Sequence, residues 1–296
     1  MPITHDLDYA RPGTLAEACE MLARAGRGAQ VLAGGTDLVG WMRDEMVAPR
    51  LLVDIKRIPG LADVFVRGDS LVVGALVTFT RLLECVIVRQ HFPLVREMAG
   101  TMASVGIRNR ATLAGNICSA VPSCDGGPVL LAYEARVGVH GPAGAREVPI
   151  TEWFQGPRTT VLLPGEIVTE IAIPLPSGAH GGCYVKLGRY RGEDLAQASV
   201  AVLALPERRY RVAFGAVAPT PVRARRLEAL MNGRALDNAL IDEARALIPQ
   251  ETAPITDIRA SREYRAHMLG VMFDRGVRAA VARLSGGGPA YGTALI

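Results

Sequence analysis

Val31-Leu32-Ala33-Gly34-Gly35-Thr36-Asp37-Leu38 is a short apolar run broken by two glycines and then by an aspartate. A second glycine-bearing turn, Thr112-Leu113-Ala114-Gly115-Asn116, follows about eighty residues later. A turn without Cβ atoms lets main-chain N–H groups approach phosphate oxygens closely, and a helix starting there adds its dipole to the attraction. Two such turns suggest two backbone cradles closing on one large anionic cofactor, for which a pyrophosphate is the natural guest.

The surroundings of the first turn define a unit. Thr14 and Glu17 have capping-box spacing ahead of Leu15, Ala18, Cys19 and Leu22, which predicts a helix running to a stop at Gly26. Ala29 to Ala33 reads as a buried strand, Asp37 as the cap of a helix through about Glu45, and Leu51 to Ile55 as a second strand. The unit lacks the three-glycine dinucleotide fingerprint and the Gly-Lys-Ser/Thr ending of a P-loop, so neither common nucleotide fold is indicated. Taken alone, a Gly-Gly turn is ordinary punctuation.

The chain has 296 residues and 49% hydrophobic content, enough for a sizeable core and about two domains. No apolar run approaches the roughly twenty residues of a membrane span, and Met1 to Arg11 does not read as a signal peptide, so a cytoplasmic location is expected. Cys19, Cys85, Cys118, Cys124 and Cys183 are dispersed without a Cys-x-x-Cys pair, which predicts free thiols and no iron–sulfur cluster held by this chain. His5, His91, His140, His180 and His267 are isolated, so no metal site is expected. The net charge of +4 is spread without a dense basic run, which argues for a solvated surface rather than nucleic-acid binding. Of 33 Lys plus Arg residues only Lys56 and Lys186 are lysine. A retained lysine in such a chain marks a place where a compact, rotatable ammonium fits and a planar fork does not.

Pro174-Leu175-Pro176-Ser177-Gly178 followed by Gly181-Gly182 is the strongest boundary signal. It divides the chain into residues 1–176, with two α/β lobes of about 1–57 and 58–176, and residues 182–285. In the second lobe, strands are expected near Val64 to Val66, Leu71 to Val73, Arg136 to Val139 and Val168 to Ile173, with helices near Thr80 to Val86 and Leu94 to Ser104. Beyond the boundary, strands near Tyr184 to Leu187, Ala198 to Leu205 and Tyr210 to Val217 precede helices at Arg225 to Met231, Asn238 to Leu247 and Tyr264 to Leu284. Strands followed by helices indicate an α+β domain, an antiparallel sheet plus helices. The glycine-rich tail, 286–296, is expected to be flexible unless a partner orders it.

Seven segments, in order, resemble the FAD-binding (medium) subunit of the molybdenum hydroxylases, the xanthine dehydrogenase and carbon monoxide dehydrogenase type. They are Val31–Leu38, Ala103–Ile117, Val121–Asp125, Leu163–Ile167, Tyr184–Lys186 with Asp194 and Ala196, Gly215–Arg223, and Asp257–Ser261 with Tyr264-Arg265. The resemblance implies an α+β protein whose first domain has the two-lobed vanillyl-alcohol oxidase (PCMH) type of FAD-binding fold. It further implies that Val31, Leu32, Ala33, Gly34, Gly35, Thr36, Asp37 and Leu38 form one pyrophosphate loop, and that Thr112, Leu113, Ala114, Gly115 and Asn116 form the other. Met102 would flank the cofactor, Asp125 would be a polar contact, Val168 an apolar wall and Lys186 a basic contact near the flavin. Lys56 has no such counterpart and is expected at the surface. Ala114 stands where many members have glycine, so the second loop is expected to differ slightly in shape if that position needs a positive φ.

The implied function is electron transfer within an oxidoreductase. Substrate would be hydroxylated at a molybdenum cofactor in a large subunit, and electrons would pass through iron–sulfur clusters of a small subunit to the FAD of this chain and on to an acceptor. The resemblance also implies a dimer of heterotrimers and no catalytic residue in this chain. Two alternatives stand beside it: a stand-alone FAD-dependent oxidase or dehydrogenase of the same fold, and a non-catalytic interaction module. Purines, N-heterocycles and aldehydes all remain open as substrates of the complex.

Overall fold

The structure, a computed structural model, describes residues 3–190 and 194–296. The first lobe is a three-stranded parallel sheet with Leu51–Asp54 in the centre, Asp8–Ala10 on one side and Ala29–Leu32 on the other. Helix Leu15–Ala25 connects the two outer strands and packs Ala18, Cys19 and Leu22 onto the sheet. Its start is the expected capping box: the Thr14 hydroxyl accepts from Glu17 N at 3.2 Å and the Glu17 carboxylate from Thr14 N at 3.3 Å. Such a cap stabilises by about 1 kcal/mol. Gly26, with φ +55°, ends the helix.

The second lobe corrects the α/β expectation. Its five-stranded sheet is antiparallel throughout, in the order Val64–Arg67, Ser70–Gly74, Ile167–Pro174, Arg136–Gly141, Gly144–Pro149. The physical reason lies in its connections: both edge strands join their neighbours through two-residue turns, which only antiparallel partners accept. The helix expected from Thr80 to Val86 is two helices, Phe79–Glu84 and Val86–His91, parted by extended backbone at Cys85. Between Val105 and Tyr133 lie three helices that hydrophobic periodicity does not predict: Val105–Arg108, Leu113–Ser119 and Gly126–Tyr133. The first two are too short to show a period, and all eight residues of the third are buried, so it has no polar face to set one.

The C-terminal domain is a four-stranded antiparallel sheet, Gly181–Leu187, Ala198–Leu205, Arg209–Gly215 and Val222–Arg223, with helices Arg225–Met231, Asn238–Glu251 and Arg262–Leu284. Every residue of Ala198–Leu205 is buried, because helix Arg262–Leu284 covers one face and helix Gly126–Tyr133 of the first domain covers the other. Tyr184, Ala201, Leu203, Leu205 and Ala213 therefore share a core with Leu130, Tyr133 and Phe92 of the second lobe. The sheet is anchored to the second lobe rather than merely tethered by the Pro174–Gly178 stretch.

The tail, expected to be flexible, folds back onto this junction. Arg283 packs 4.0 Å over the Tyr291 ring and donates to the carbonyls of Pro289 and Ala290 at 2.9 and 3.0 Å. Gly292 N donates to Glu97 at 2.9 Å, and the Arg283–Glu97 ion pair is itself buried. A buried pair needs its remaining hydrogen-bonding capacity satisfied, and the tail supplies that.

Candidate functional site: a two-cradle cavity between the lobes

A cavity of ≈ 620 Å³ runs along the junction of the two lobes, within the range of cofactor-sized sites. Of the residues singled out from sequence, Val31, Ala33, Gly34, Gly35, Thr36, Asp37, Leu38, Met102, Thr112, Ala114, Gly115, Asn116, Asp125 and Val168 line it. Leu32, Leu113 and Lys186 do not. Leu113 is fully buried in the core of the second lobe, since the first residue of a helix beside a free turn still points one side chain inward.

The first cradle has four donors to offer. The main-chain N–H groups of Gly34, Gly35, Thr36 and Asp37 meet no acceptor among the described residues, whereas the Gly35 and Asp37 carbonyls accept from Val39 and Trp41 at 3.0 and 2.9 Å. Consecutive free N–H groups form a concavity that suits an anion. Both glycines are required, for different reasons. A Cβ on Gly34 would lie 2.0 Å from the carbonyl oxygen of Arg110, so this is where the two lobes touch backbone to backbone. Gly35 has φ +79°, the left-handed region that other residues enter at a cost.

Asp37 stands at the N-cap of helix Leu38–Arg43, but its side chain makes no capping bond; its carboxylate instead accepts the hydroxyl of Ser119 across the cavity. That bond ties the first loop to the end of helix Leu113–Ser119. Lys56 is exposed, as expected, and its ammonium reaches Asp54 at 2.8 Å and the Ala33 carbonyl at 3.3 Å.

The second cradle is largely self-satisfied. Thr112 is a helix cap whose hydroxyl accepts from Gly115 N at 2.9 Å, while Asn116 N donates to Thr112 O and Leu113 N to Val77 O. Only the Thr112 and Ala114 N–H groups are left without an acceptor in this turn among the described residues. Ala114 is helical and absent from the positive-φ positions, so alanine costs nothing there and the expected change of loop shape does not arise. The Asn116 carboxamide oxygen accepts from Gly126 N at 2.9 Å and so holds the Asp125 segment against the cavity.

Asp125 is buried, and both its oxygens are engaged from the C-terminal domain. Tyr184 Oη donates to one at 2.6 Å and Lys186 Nζ to the other at 2.8 Å, the lysine also reaching the Thr101 carbonyl at 3.3 Å. Lys186, expected as a basic contact, does not line the cavity: it projects from strand Gly181–Leu187, behind the wall that Asp125 forms. Burial, then the Asp125 charge, pushes the Tyr184 phenol well above its ordinary value, so it remains a donor. Tyr184 was visible in sequence only as part of the Tyr184–Lys186 segment.

Glu166, Cys124 and Leu195 also line the cavity without having been assigned a role from sequence. Arg146 grips Glu166 through two 2.7 Å bonds, and the same carboxylate accepts Leu163 N at 2.7 Å, which sets the turn Leu163–Ile167 into the wall. The Arg146 guanidinium holds the Glu166 carboxyl below its ordinary value against the opposing effect of burial. Burial pushes the Cys124 thiol up to about 12. Among the described residues no group of three or more His, Cys, Asp or Glu could hold a metal ion, and no helix is long and apolar enough to cross a membrane.

Residues 5–176 match the family described as the FAD binding domain in molybdopterin dehydrogenase, and residues 183–280 match the CO dehydrogenase flavoprotein C-terminal domain. The chain belongs to the FAD-binding flavoprotein family of the molybdopterin dehydrogenases. It is 34% identical to the carbon monoxide dehydrogenase medium chain of Afipia carboxidovorans, over 95% of this chain and 99% of that one. To the xanthine dehydrogenase FAD-binding subunit of Escherichia coli it is 32% identical, over 94% and 97%. The structure superimposes on carbon monoxide dehydrogenase from Hydrogenophaga pseudoflava with a TM-score of 0.92 at 33% identity, covering 95% of this chain and 99% of that one. Within this flavoprotein family the chain is an oxidoreductase component with a two-domain α+β fold. The residues present fit FAD: free amides for a diphosphate in the first cradle, apolar walls at Val31, Met102 and Val168, and a buried carboxylate at Asp125.

Proposed function

We propose that this chain is the electron-transfer subunit of a molybdenum hydroxylase, receiving electrons from iron–sulfur clusters of a small subunit and passing them through FAD to an acceptor. A large subunit with the molybdenum cofactor completes the complex, which assembles as a cytoplasmic dimer of heterotrimers. The division into residues 1–176 and 182–285 belongs to the same proposal. The observation that carries it is the row of four free main-chain donors at Gly34–Asp37 on a cofactor-sized cavity.

In this reading Gly34, Gly35, Thr36 and Asp37 hold the diphosphate through backbone N–H groups, with Ala114 N–H opposite. Asp125, fixed by Tyr184 and Lys186, accepts from hydroxyl or ring N–H groups of the cofactor. Bound FAD supplies a redox centre able to exchange electrons one or two at a time. The protein attaches it noncovalently: no histidine lines the cavity among the described residues, and Cys124 stays a neutral thiol rather than a nucleophilic thiolate. The 32–34% identity to medium chains of carbon monoxide and xanthine dehydrogenases supports the subunit reading over a stand-alone oxidase.

The test is rapid-mixing spectroscopy on the native complex, with the iron–sulfur and flavin bands followed separately. Substrate should reduce the iron–sulfur bands first and then bleach the flavin, while the lone chain with the same purines, aldehydes or N-heterocycles stays oxidised. Substrate-dependent bleaching of the lone chain would overturn the assignment.

A further inference from the structure

The two lysines of this arginine-rich chain are built into the same device. Lys186 bridges the buried Asp125 carboxylate and the carbonyl of Thr101, the residue before cavity-lining Met102. Lys56 bridges the buried Asp54 carboxylate and the carbonyl of Ala33, the residue before Gly34. Each ammonium therefore ties a fixed carboxylate to the main chain at a cavity wall. We infer that Lys56 is a positioning residue for the first cradle, one that fixes the Ala33–Gly34 peptide plane so that its N–H is presented to the cofactor diphosphate.

The geometry of a peptide makes the link. No cis peptide is present, and in a trans peptide the carbonyl and the N–H of the same plane point in opposite directions. Holding the Ala33 oxygen toward Lys56 turns the Gly34 N–H to the opposite side, and that N–H is the first of the four free donors. The anchor is held on several sides. Asp54 is buried in the central strand of the first lobe, where its carboxylate also accepts from Lys56 N at 2.9 Å and from the Tyr9 hydroxyl. Burial is the largest single influence and raises the Asp54 carboxyl, but the hydrogen bonds from Lys56 and Tyr9 together with the Lys56 charge outweigh it and hold the group below its ordinary value, so the anchor stays charged at neutral pH. An ammonium can reach two acceptors that do not share a plane, which a guanidinium fork does poorly.

This inference rests on the FAD reading of the site, and the test separates the two. Wild type, Lys56→Met and Lys56→Arg are titrated with FAD by fluorescence quenching and with ADP by competition, and the melting temperature of each apo protein is measured. Both variants should bind FAD and ADP more weakly by the same factor, about tenfold for the methionine variant, which is about 1.4 kcal/mol of lost donor alignment. The visible spectrum of bound FAD should be unchanged, since the flavin end is untouched; the apo melting temperature should fall in Lys56→Met, which leaves the buried Asp54 carboxylate without its ammonium, and stay at the wild-type value in Lys56→Arg, which keeps a cation there. Wild-type affinity in Lys56→Met overturns the inference and leaves the FAD reading standing, as does weakening of FAD with no weakening of ADP. A loss of affinity in Lys56→Arg that tracks a fall in its apo stability assigns Lys56 a purely structural role and also overturns it. Should Lys56→Met fail to fold, Lys56→Arg carries the same comparison. A wild type that binds neither ligand overturns the FAD reading and this inference together.

Discussion

Gly34→Ala is the smallest change that attacks the proposed cofactor site at its narrowest point. The added Cβ would stand 2.0 Å from the Arg110 carbonyl oxygen and 2.7 Å from its carbon, whereas real Cβ contacts essentially never fall below 3.0 Å. The loop must retreat by about 1 Å, and since the obstacle is backbone no rotamer change relieves it. Overpacking of this kind costs about 1–3 kcal/mol of stability. The retreat also misplaces the N–H groups at Gly34 and Gly35, and a hydrogen bond to a charged group contributes about 1.5–3 kcal/mol. Losing one such bond raises the Kd for FAD roughly tenfold to a hundredfold. The neighbouring glycines grade the effect. Gly35→Ala pays for φ +79°, about 1–2 kcal/mol, and presses on the movable Leu32 side chain at 3.0 Å. Gly115→Ala meets only the Thr112 hydroxyl at 2.9 Å, in a helical backbone that favours alanine. The expected order of weakening is Gly34 first, Gly35 second and Gly115 last, read by fluorescence titration of FAD alongside melting of the apo chain. Affinity within about twofold of wild type for Gly34→Ala, or a larger loss for Gly115→Ala, would refute the reasoning.

Arg283→Met leaves Glu97 charged and buried without its partner and releases the tail at Tyr291 and Gly292; urea unfolding should show a loss of about 3–5 kcal/mol. Arg146 holds the folded-state Glu166 carboxyl below its unfolded value, so its contribution is present above the ordinary carboxylate range and is lost as pH falls through the lowered value. Melting temperature should therefore drop more steeply on acidification in wild type than in Arg146→Met, and parallel curves would refute that coupling. Cys124, with its thiol pushed up to about 12, should resist iodoacetamide at pH 8 in the native protein and react once unfolded, as mass spectrometry of the peptide would show.

Much of the first lobe was legible because its signals are local. Thr14 and Glu17 announce a helix start, Gly26 a stop, and the alternation of apolar runs with glycine an open unit. The C-terminal strands and helices were legible for the same reason, with Ala198–Leu205 and Arg225–Met231 found at their expected limits. The segment from Val105 to Tyr133 was not, because a helix such as Gly126–Tyr133 that is buried on all sides carries no period. Strand direction in the second lobe was lost because pairing is set by partners far apart in sequence, as when Ile171 meets Val73 and Val137. Within the site, the two cradles were visible but their difference was not. Whether an N–H is free depends on Thr112 capping its own turn, while Gly34–Asp37 are left open. Lys186 was found through its rarity and its resemblance, yet its place behind Asp125 depends on the sheet of the second domain. Lys56 had the rarity alone.

The central claim, that the two cradles close on one FAD, is tested most directly by adding FAD to the purified apo chain and counting what binds. Equilibrium dialysis should reach one FAD per chain, and acid precipitation should release all of the yellow colour into the supernatant. Failure to bind, or colour retained in the precipitate, would contradict the account.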